Sequence, residues 1–96
     1  MRGGVVYLFF SKECPHCDRY IESGRKDAVK RYFDSRGRSI QELDCTDKNS
    51  PNRSILLSTG FTTVPAIAYE TRGQTKCESA NEFAKRLMRR RVWIRS

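Results

Sequence analysis

Residues 5–17 have the sequence VVYLFFSKECPHC. The first six are apolar, and a continuous apolar run of this length is typical of a strand buried on both faces, at the centre of an α/β sheet. Ser11-Lys12-Glu13 ends this strand. Cys14-Pro15 predicts the start of a helix, because proline is favoured at the first helical position. The sequence therefore predicts two cysteines, Cys14 and Cys17, at a junction between a buried strand and a helix.

The rest of the chain predicts an α/β domain built outward from that strand. Apolar residues from Tyr20 to Phe33 recur at helical spacing, and Ser23-Gly24 interrupts them, so we expect one long kinked helix or two helices in tandem. The other expected elements are a strand at 39–44, a helix at 51–57, a strand at 64–69, a hairpin turn at 71–74, a strand at 75–77 and a helix after the capping box Ser79-x-x-Glu82. The order β-α-β-α-β-β-α requires a parallel first pair of strands.

The segment Cys14-Pro15-His16-Cys17 predicts a redox-active dithiol, because C-x-x-C between a strand and a helix favours redox chemistry over a zinc site. The free N–H groups and the dipole of a helix N-terminus favour an anion, so we expect Cys14 as a thiolate that attacks a substrate disulfide. Cys17 lies one turn further on the same face and would resolve the mixed disulfide. His16 adds a second hydrogen-bond donor near the Cys14 sulfur.

A structural zinc site is the competing interpretation of the cysteines. It would recruit Cys45 and Cys77, but the chain has no second C-x-x-C and no pair of histidines at ligand spacing. Cys45 follows the predicted second strand and is interpreted as a small hydrophobic residue of the core.

Composition limits the class of protein. With 96 residues, 38% hydrophobic and 31% charged, we expect one globular domain covering residues 1–96. The longest apolar run, residues 5–10, is far too short to span a bilayer, and no targeting signal stands out. These features predict a cytoplasmic protein without a membrane partner. In the cytoplasm, cysteines are more often catalytic or metal-binding than disulfide-bonded, and we expect the same of the four cysteines here.

The net charge of +8 is concentrated at the end of the chain. Six of the 19 Lys and Arg residues lie in the basic tail, residues 85–96, which contains no acid. One interpretation is a helix with solvated arginines, packed through Phe83, Leu87 and Met88. The others are a nucleic-acid-binding segment, in which Trp93 would stack on a base, or a docking site for an acidic partner.

Two motifs in order give the chain a resemblance to the glutaredoxins, a family with the thioredoxin fold. The first is Tyr7 to Cys17, which is similar to the family's strand, Ser/Thr-Lys and C-P-x-C arrangement. The second is Gly60-x-Thr62-Thr63-Val64-Pro65-x-Ile67, which resembles its T-V-P segment. The resemblance implies a thioredoxin fold with a four-stranded mixed sheet flanked by helices, and a Val64-Pro65 cis peptide bond that faces Cys14.

The same resemblance implies glutathione as redox co-substrate, with no cofactor bound. Lys12, Thr63, Val64 and Pro65 match the family's glutathione contacts in type. Counting from Pro65, the family's double glycine falls on Thr75-Lys76 and its acidic contact on Glu78. Residues 22–30 are an insertion relative to compact members, just beyond the active-site helix, where they would influence the choice of partner. Cys77 occupies a position where the family sometimes has Cys or Ser.

The tetrapeptide C-P-H-C departs from most dithiol glutaredoxins, which have Tyr in place of His16, and is similar to that of the oxidising relative DsbA. We therefore expect a reduction potential at or above the glutaredoxin range.

The expected function is reduction of protein disulfides or glutathione mixed disulfides. The alternatives are a glutathione-independent oxidoreductase of thioredoxin or DsbA type, and a nucleic-acid-binding module that uses the basic tail. A shared iron–sulfur cluster is disfavoured by Pro15.

Overall fold

The computed structural model describes residues 4–94, with side chains described as far as residue 89. Its elements, in chain order, are β1 (Val5–Phe10), α1 (Pro15–Glu22), α2 (Arg25–Asp34), β2 (Ser39–Asp44), α3 (Pro51–Ser58), β3 (Ala66–Thr71), β4 (Gln74–Ser79) and α4 (Ala80–Ile94). No helix among the described residues is long and apolar enough to cross a membrane.

The four strands form one mixed sheet in the order β2-β1-β3-β4. β1 pairs with β2 in parallel and with β3 in antiparallel orientation, and β3 and β4 form an antiparallel hairpin. β1 is a central strand, and it alternates between the two faces, because Val6 and Leu8 belong to one core cluster and Phe9 to the other. The predicted α/β class and four-stranded mixed sheet are confirmed.

Helices cover both faces of the sheet. The cluster on one face is formed with residues of α1, α2 and α4, namely Tyr20, Val29, Phe33, Ala80, Phe83, Ala84 and Leu87. The cluster on the other face is formed with Leu56 of α3, together with Leu43, Cys45, Ala66 and Ala68. The interpretation of Cys45 as a core residue is confirmed, since it is fully buried.

The segment between β1 and β2 contains two helices in tandem. α1 ends at Glu22 with Ser23 as its C-cap, and Gly24 follows with φ of 82°, a left-handed conformation that favours glycine. The backbone changes direction there, and α2 brings Phe33 against α4, where its ring stacks on Phe83 at 5.6 Å between centroids. Tyr32 meets the same Phe83 ring edge-on at 5.5 Å. α2 is therefore part of the core.

Two predicted strands have the wrong bounds and one motif is only half formed. β3 spans Ala66–Thr71 and not residues 64–69, and β4 spans Gln74–Ser79 and not residues 75–77. The hairpin turn is as predicted, with Arg72 and Gly73 both at positive φ. Ser79 Oγ accepts a hydrogen bond from the Glu82 N–H at 3.3 Å, but the Glu82 carboxylate pairs with Lys85.

We predict that Phe33→Ala lowers the free energy of unfolding by about 3–5 kcal/mol, because it leaves a cavity in a closely packed aromatic cluster. Leu57→Ala, at an exposed position of α3, is the matched control and should change it by less than about 0.5 kcal/mol. Urea denaturation measures both. Equal effects of the two substitutions would show that α2 is not a core element.

Candidate active site

Cys14 is the N-cap residue of α1 and ends the short loop that follows β1. Its backbone is extended, and its carbonyl accepts hydrogen bonds from the N–H groups of Cys17 and Asp18, both at 3.1 Å. Pro15 occupies the first turn, as predicted. The Cys14 side chain makes no capping hydrogen bond with the helix. Instead, its Sγ donates to the carbonyl oxygen of Val64 at 3.6 Å.

This contact belongs to the protonated thiol, because a thiolate has no hydrogen to donate to a carbonyl oxygen. Ionisation of Cys14 therefore releases the Val64 carbonyl and leaves the sulfur beside the open end of α1. The partial positive charge of a helix N-terminus favours an anion at that place.

Cys17 is the second sulfur of the site, and it is buried, with an exposed fraction of 2%. The backbone N–H of Ser11 donates to its Sγ at 3.4 Å. Burial raises the pKa of Cys17 to about 11; the Ser11 hydrogen bond opposes this, and a hydrogen bond with the Cys14 side chain adds to it. The two thiols of the motif therefore differ in exposure, since Cys14 is partly exposed and Cys17 is buried.

The segment before β3 faces the dithiol. Val64-Pro65 is a cis peptide bond, as the family resemblance implied. The Pro65 carbonyl accepts a hydrogen bond from the N–H of Ala80 at 3.0 Å, which attaches this segment to the start of α4. Thr63, Val64 and Pro65 line a cleft beside Cys14.

The loop between β1 and Cys14 is fixed by contacts with residues at the end of β2 and just after it. The Lys12 N–H donates to Thr46 Oγ1 at 2.8 Å, and the Lys12 ammonium lies 3.6 Å from the Asp44 carboxylate. Hydrogen bonds from the Thr46 hydroxyl and N–H lower the pKa of Asp44, and Lys12 adds to the effect. Lys12 is thus engaged with Asp44, and it is not among the residues that line the cleft.

The cleft beside the dithiol has a volume of about 430 Å³. Its lining residues come from α1, α2, the segment before β3 and the start of α4, and they are His16, Arg19, Arg25, Thr63, Val64, Pro65, Ser79, Asn81, Glu82 and Lys85. The exposed His16 is therefore at the cleft. Its carbonyl accepts a hydrogen bond from Asn81 Nδ2 at 3.2 Å.

Glu78 lies away from this cleft. Its carboxylate accepts a hydrogen bond from the Tyr69 hydroxyl at 2.6 Å and pairs with Arg86, also at 2.6 Å. The position that faces the cleft three residues later is Asn81, which the sequence analysis did not single out. Arg19, Arg25 and Lys85 were likewise missed as cleft residues. The extra length at residues 22–30 that the family resemblance implied was the available signal for Arg25.

The remaining cysteines lie outside the cleft lining. Burial raises the pKa of Cys45 and of Cys77. Cys77 is half-buried and packs against the core cluster that contains Cys45. No group of three His, Cys, Asp or Glu side chains suited to hold a metal occurs in the described part of the chain.

The structure describes only the first part of the basic tail. Phe83 and Leu87 are buried and Met88 is exposed, while Lys85, Arg86 and Arg89 project from α4. The helical backbone continues to Ile94. The prediction for the Trp93 side chain, like that for Arg90, Arg91 and Arg95, lies outside the described residues.

Comparisons with known proteins show the fold. No family model matches the chain, and no curated protein matches its sequence. Its structure is similar to thioredoxin 1 from the thermophilic eubacterium Thermosipho africanus TCF52B, with a TM-score of 0.54 and 18% identity over 94% of this chain and 96% of that one. It is also similar to a structure described as that of a malarial protein, with a TM-score of 0.56 and 21% identity over 90% and 93% of the two chains. The chain thus has a thioredoxin-like fold.

We predict that the native Cys17 thiol is unreactive towards iodoacetamide at neutral pH, because its raised pKa keeps it protonated. In a Cys14→Ser/Cys45→Ala/Cys77→Ser variant, where Cys17 is the sole cysteine, burial still raises the Cys17 pKa, so the alkylation rate should rise only at a pH above the ordinary pKa of 9.0. The same variant in denaturant is the control, and its rate should rise near the ordinary pKa of 9.0. A common pH midpoint for the two forms would show that burial does not protect Cys17.

Proposed function

We propose that the protein is a thiol–disulfide oxidoreductase of glutaredoxin type, with Cys14 as nucleophile and Cys17 as resolving thiol. One observation carries the proposal. The Cys14 sulfur lies at the N-terminus of α1 against the Val64 carbonyl, and the buried Cys17 follows three residues later on the same helix. An accessible sulfur paired with a covered one suits an exchange in which each sulfur has a different task.

In the first step, the Cys14 thiolate attacks one sulfur of a substrate disulfide. The new Cys14–substrate bond forms as the substrate S–S bond breaks, and the departing sulfur takes up a proton to become a thiol. When Cys14 gives up its contact with Val64, the carbonyl of that residue becomes free to accept a hydrogen bond from the substrate backbone. An extended substrate chain would pair there in strand-like fashion.

In the second step, Cys17 loses its proton and attacks the Cys14 sulfur. The mixed disulfide breaks, the second substrate sulfur leaves and is protonated, and the protein keeps a Cys14–Cys17 disulfide. Two electrons have then passed from the dithiol to the substrate. Once Cys14 is bonded to the substrate, it no longer places a negative charge beside Cys17, and one cause of the raised Cys17 pKa is removed.

Glutathione is the proposed reductant that restores the dithiol. Two glutathione molecules would be oxidised to one glutathione disulfide as the Cys14–Cys17 bond is reduced. Thr63 and Val64 line the cleft and offer backbone groups to a small peptide. A cytoplasmic location belongs to this proposal, since that compartment supplies glutathione and keeps protein thiols reduced.

A specific observation favours a second candidate, a glutathione-independent oxidoreductase of thioredoxin or DsbA type. Lys12 and Glu78 match the family's charged glutathione contacts, but they pair with Asp44 and Arg86 respectively. Neither is among the residues that line the cleft. On this alternative, the reductant or oxidant is another protein, and Val64 still receives the substrate backbone.

We predict that Cys14→Ser abolishes reduction of a small glutathione mixed disulfide, with a loss of at least about 100-fold, because the nucleophile is removed. Cys77→Ser is the matched control, since Cys77 lies outside the cleft, and its rate should stay within about twofold. The assay couples glutathione, glutathione reductase and NADPH. Turnover by wild type with thioredoxin reductase alone would select the second candidate, and turnover by Cys14→Ser would contradict both.

We predict a reduction potential at or above about −230 to −200 mV, the glutaredoxin range, because His16 adds a donor that favours the reduced, ionised form of Cys14. His16→Tyr should lower the potential, by on the order of 30 mV for each 1.4 kcal/mol of stabilisation lost. Equilibration in glutathione redox buffers, followed by alkylation and mass analysis, gives both values. A wild-type value near about −270 mV, the thioredoxin value, would contradict this prediction.

A further inference from the structure

A groove leads away from the dithiol along the junction of α1, α2 and α4. The cleft beside Cys14 shares Arg25, Glu82 and Lys85 with a second cleft of about 710 Å³. Together they form one continuous surface, which we call the basic groove. Its charged members are Arg19, Arg25, Lys85, Arg89 and Glu82, and Ser23 and Met88 line its far part.

The basic groove carries an excess of positive charge. Its one carboxylate, Glu82, pairs with Lys85 at 3.2 Å. Among the side chains that the structure describes, no carboxylate lies within 4 Å of the guanidinium groups of Arg19, Arg25 or Arg89. Three cationic groups are therefore left for a ligand to neutralise.

One of these cationic groups, the guanidinium of Arg25 on α2, is held in place by hydrogen bonds. Arg25 Nη1 donates to Asn81 Oδ1 at 2.9 Å, and Asn81 Nδ2 donates to the His16 carbonyl at 3.2 Å. This chain of hydrogen bonds connects α2, α4 and the active-site helix α1. The Arg25 side chain is thus ordered before any substrate arrives, which reduces the entropic cost of binding.

We propose that the basic groove binds an acidic polypeptide segment next to the disulfide of a protein substrate. The proposal rests on the function proposed above and names its substrate class. The substrate disulfide lies at Cys14, and carboxylates of the flanking chain pair with Arg25 and Arg89. Met88 provides an apolar contact between them.

The length of the groove distinguishes a protein segment from glutathione. From Asn81 to Arg89, α4 rises by about 12 Å, at about 1.5 Å per residue. An extended chain covers that distance with about four residues, at about 3.3 Å each. A tripeptide whose sulfur lies at Cys14 does not also reach Arg89, whereas a protein segment does.

The chemistry of the lining favours a polypeptide over a nucleic acid. Single-stranded nucleic acids bind through aromatic side chains on which the bases stack. His16 is the one aromatic residue among the described residues that line the basic groove. In addition, a polypeptide brings both the carboxylates and the disulfide that Cys14 attacks.

The test uses two synthetic peptides with the same internal disulfide, one flanked by four Glu residues and the other by four Gln residues. The readout is the ratio of their kcat/KM values with one reductant. We expect a preference for the Glu peptide of about 10-fold at low salt, because several exposed ion pairs each contribute a small factor. The preference should fall below about twofold at high salt, which screens exposed charges.

Protein variants assign the preference to the groove. Arg25→Gln/Arg89→Gln should reduce the ratio to below about threefold. The matched control, Arg31→Gln/Lys48→Gln, removes the same charge at exposed positions off the groove and should keep the wild-type ratio. An equal loss in both double variants would attribute the preference to net charge and overturn the proposal.

Two further results would also test the proposal and separate it from the proposed function. If wild type reduces both peptides at equal rates, the substrate class is wrong while the proposed function stands; if it reduces neither, the proposed function itself fails. A short oligonucleotide and a poly-Glu peptide of equal charge are added as competitors. Stronger inhibition by the oligonucleotide would identify a phosphate-binding groove and overturn the proposal, whereas stronger inhibition by poly-Glu supports it.

Discussion

The site depends on the contact between the Cys14 sulfur and the Val64 carbonyl, which joins residues 50 positions apart in the chain. Antiparallel pairing of the central strand β1 with β3 brings the two segments together. The Ala80 N–H then holds the Pro65 carbonyl, so the start of α4 is fixed to the same place. A partly exposed sulfur, the backbone carbonyl that it contacts and a cleft lined by the same residue, Val64, therefore lie together.

α2 contributes both to stability and to the site. Its buried side places Phe33 against Phe83 of α4, and its N-terminal residue Arg25 reaches Asn81 at the start of the same helix. Because both contacts act between α2 and α4, packing in the core determines where the Arg25 guanidinium lies. Aromatic packing near the C-terminal end of α2 thus helps to hold Arg25, at its N-terminal end, in the lining of the cleft.

The sequence predicted the elements near the dithiol well, because their signals are local. The apolar run at residues 5–10 and the proline after Cys14 determine a strand and a helix start within a few residues. The start of β3 was less predictable, since Val64 is β-branched but precedes a proline in the cis form. Glu78 could be matched to the family's acidic position from the sequence, but the partners of its carboxylate could not be predicted. Its side chain pairs with Tyr69 and Arg86, and that arrangement depends on how α4 packs across the hairpin.

The clustering of basic side chains in the folded protein could not be predicted from their order along the chain. Most of the excess positive charge lies in residues 85–96, so the sequence presents it as a property of the tail. The fold brings Lys85 and Arg89 of that segment beside Arg19 and Arg25, which come from a region of mixed charge. A concentrated field of one sign in a cleft increases the encounter rate with ligands of the opposite sign. Because Val64 lines the same groove and contacts the Cys14 sulfur, on the proposed function this field would act at the step in which a substrate disulfide meets Cys14.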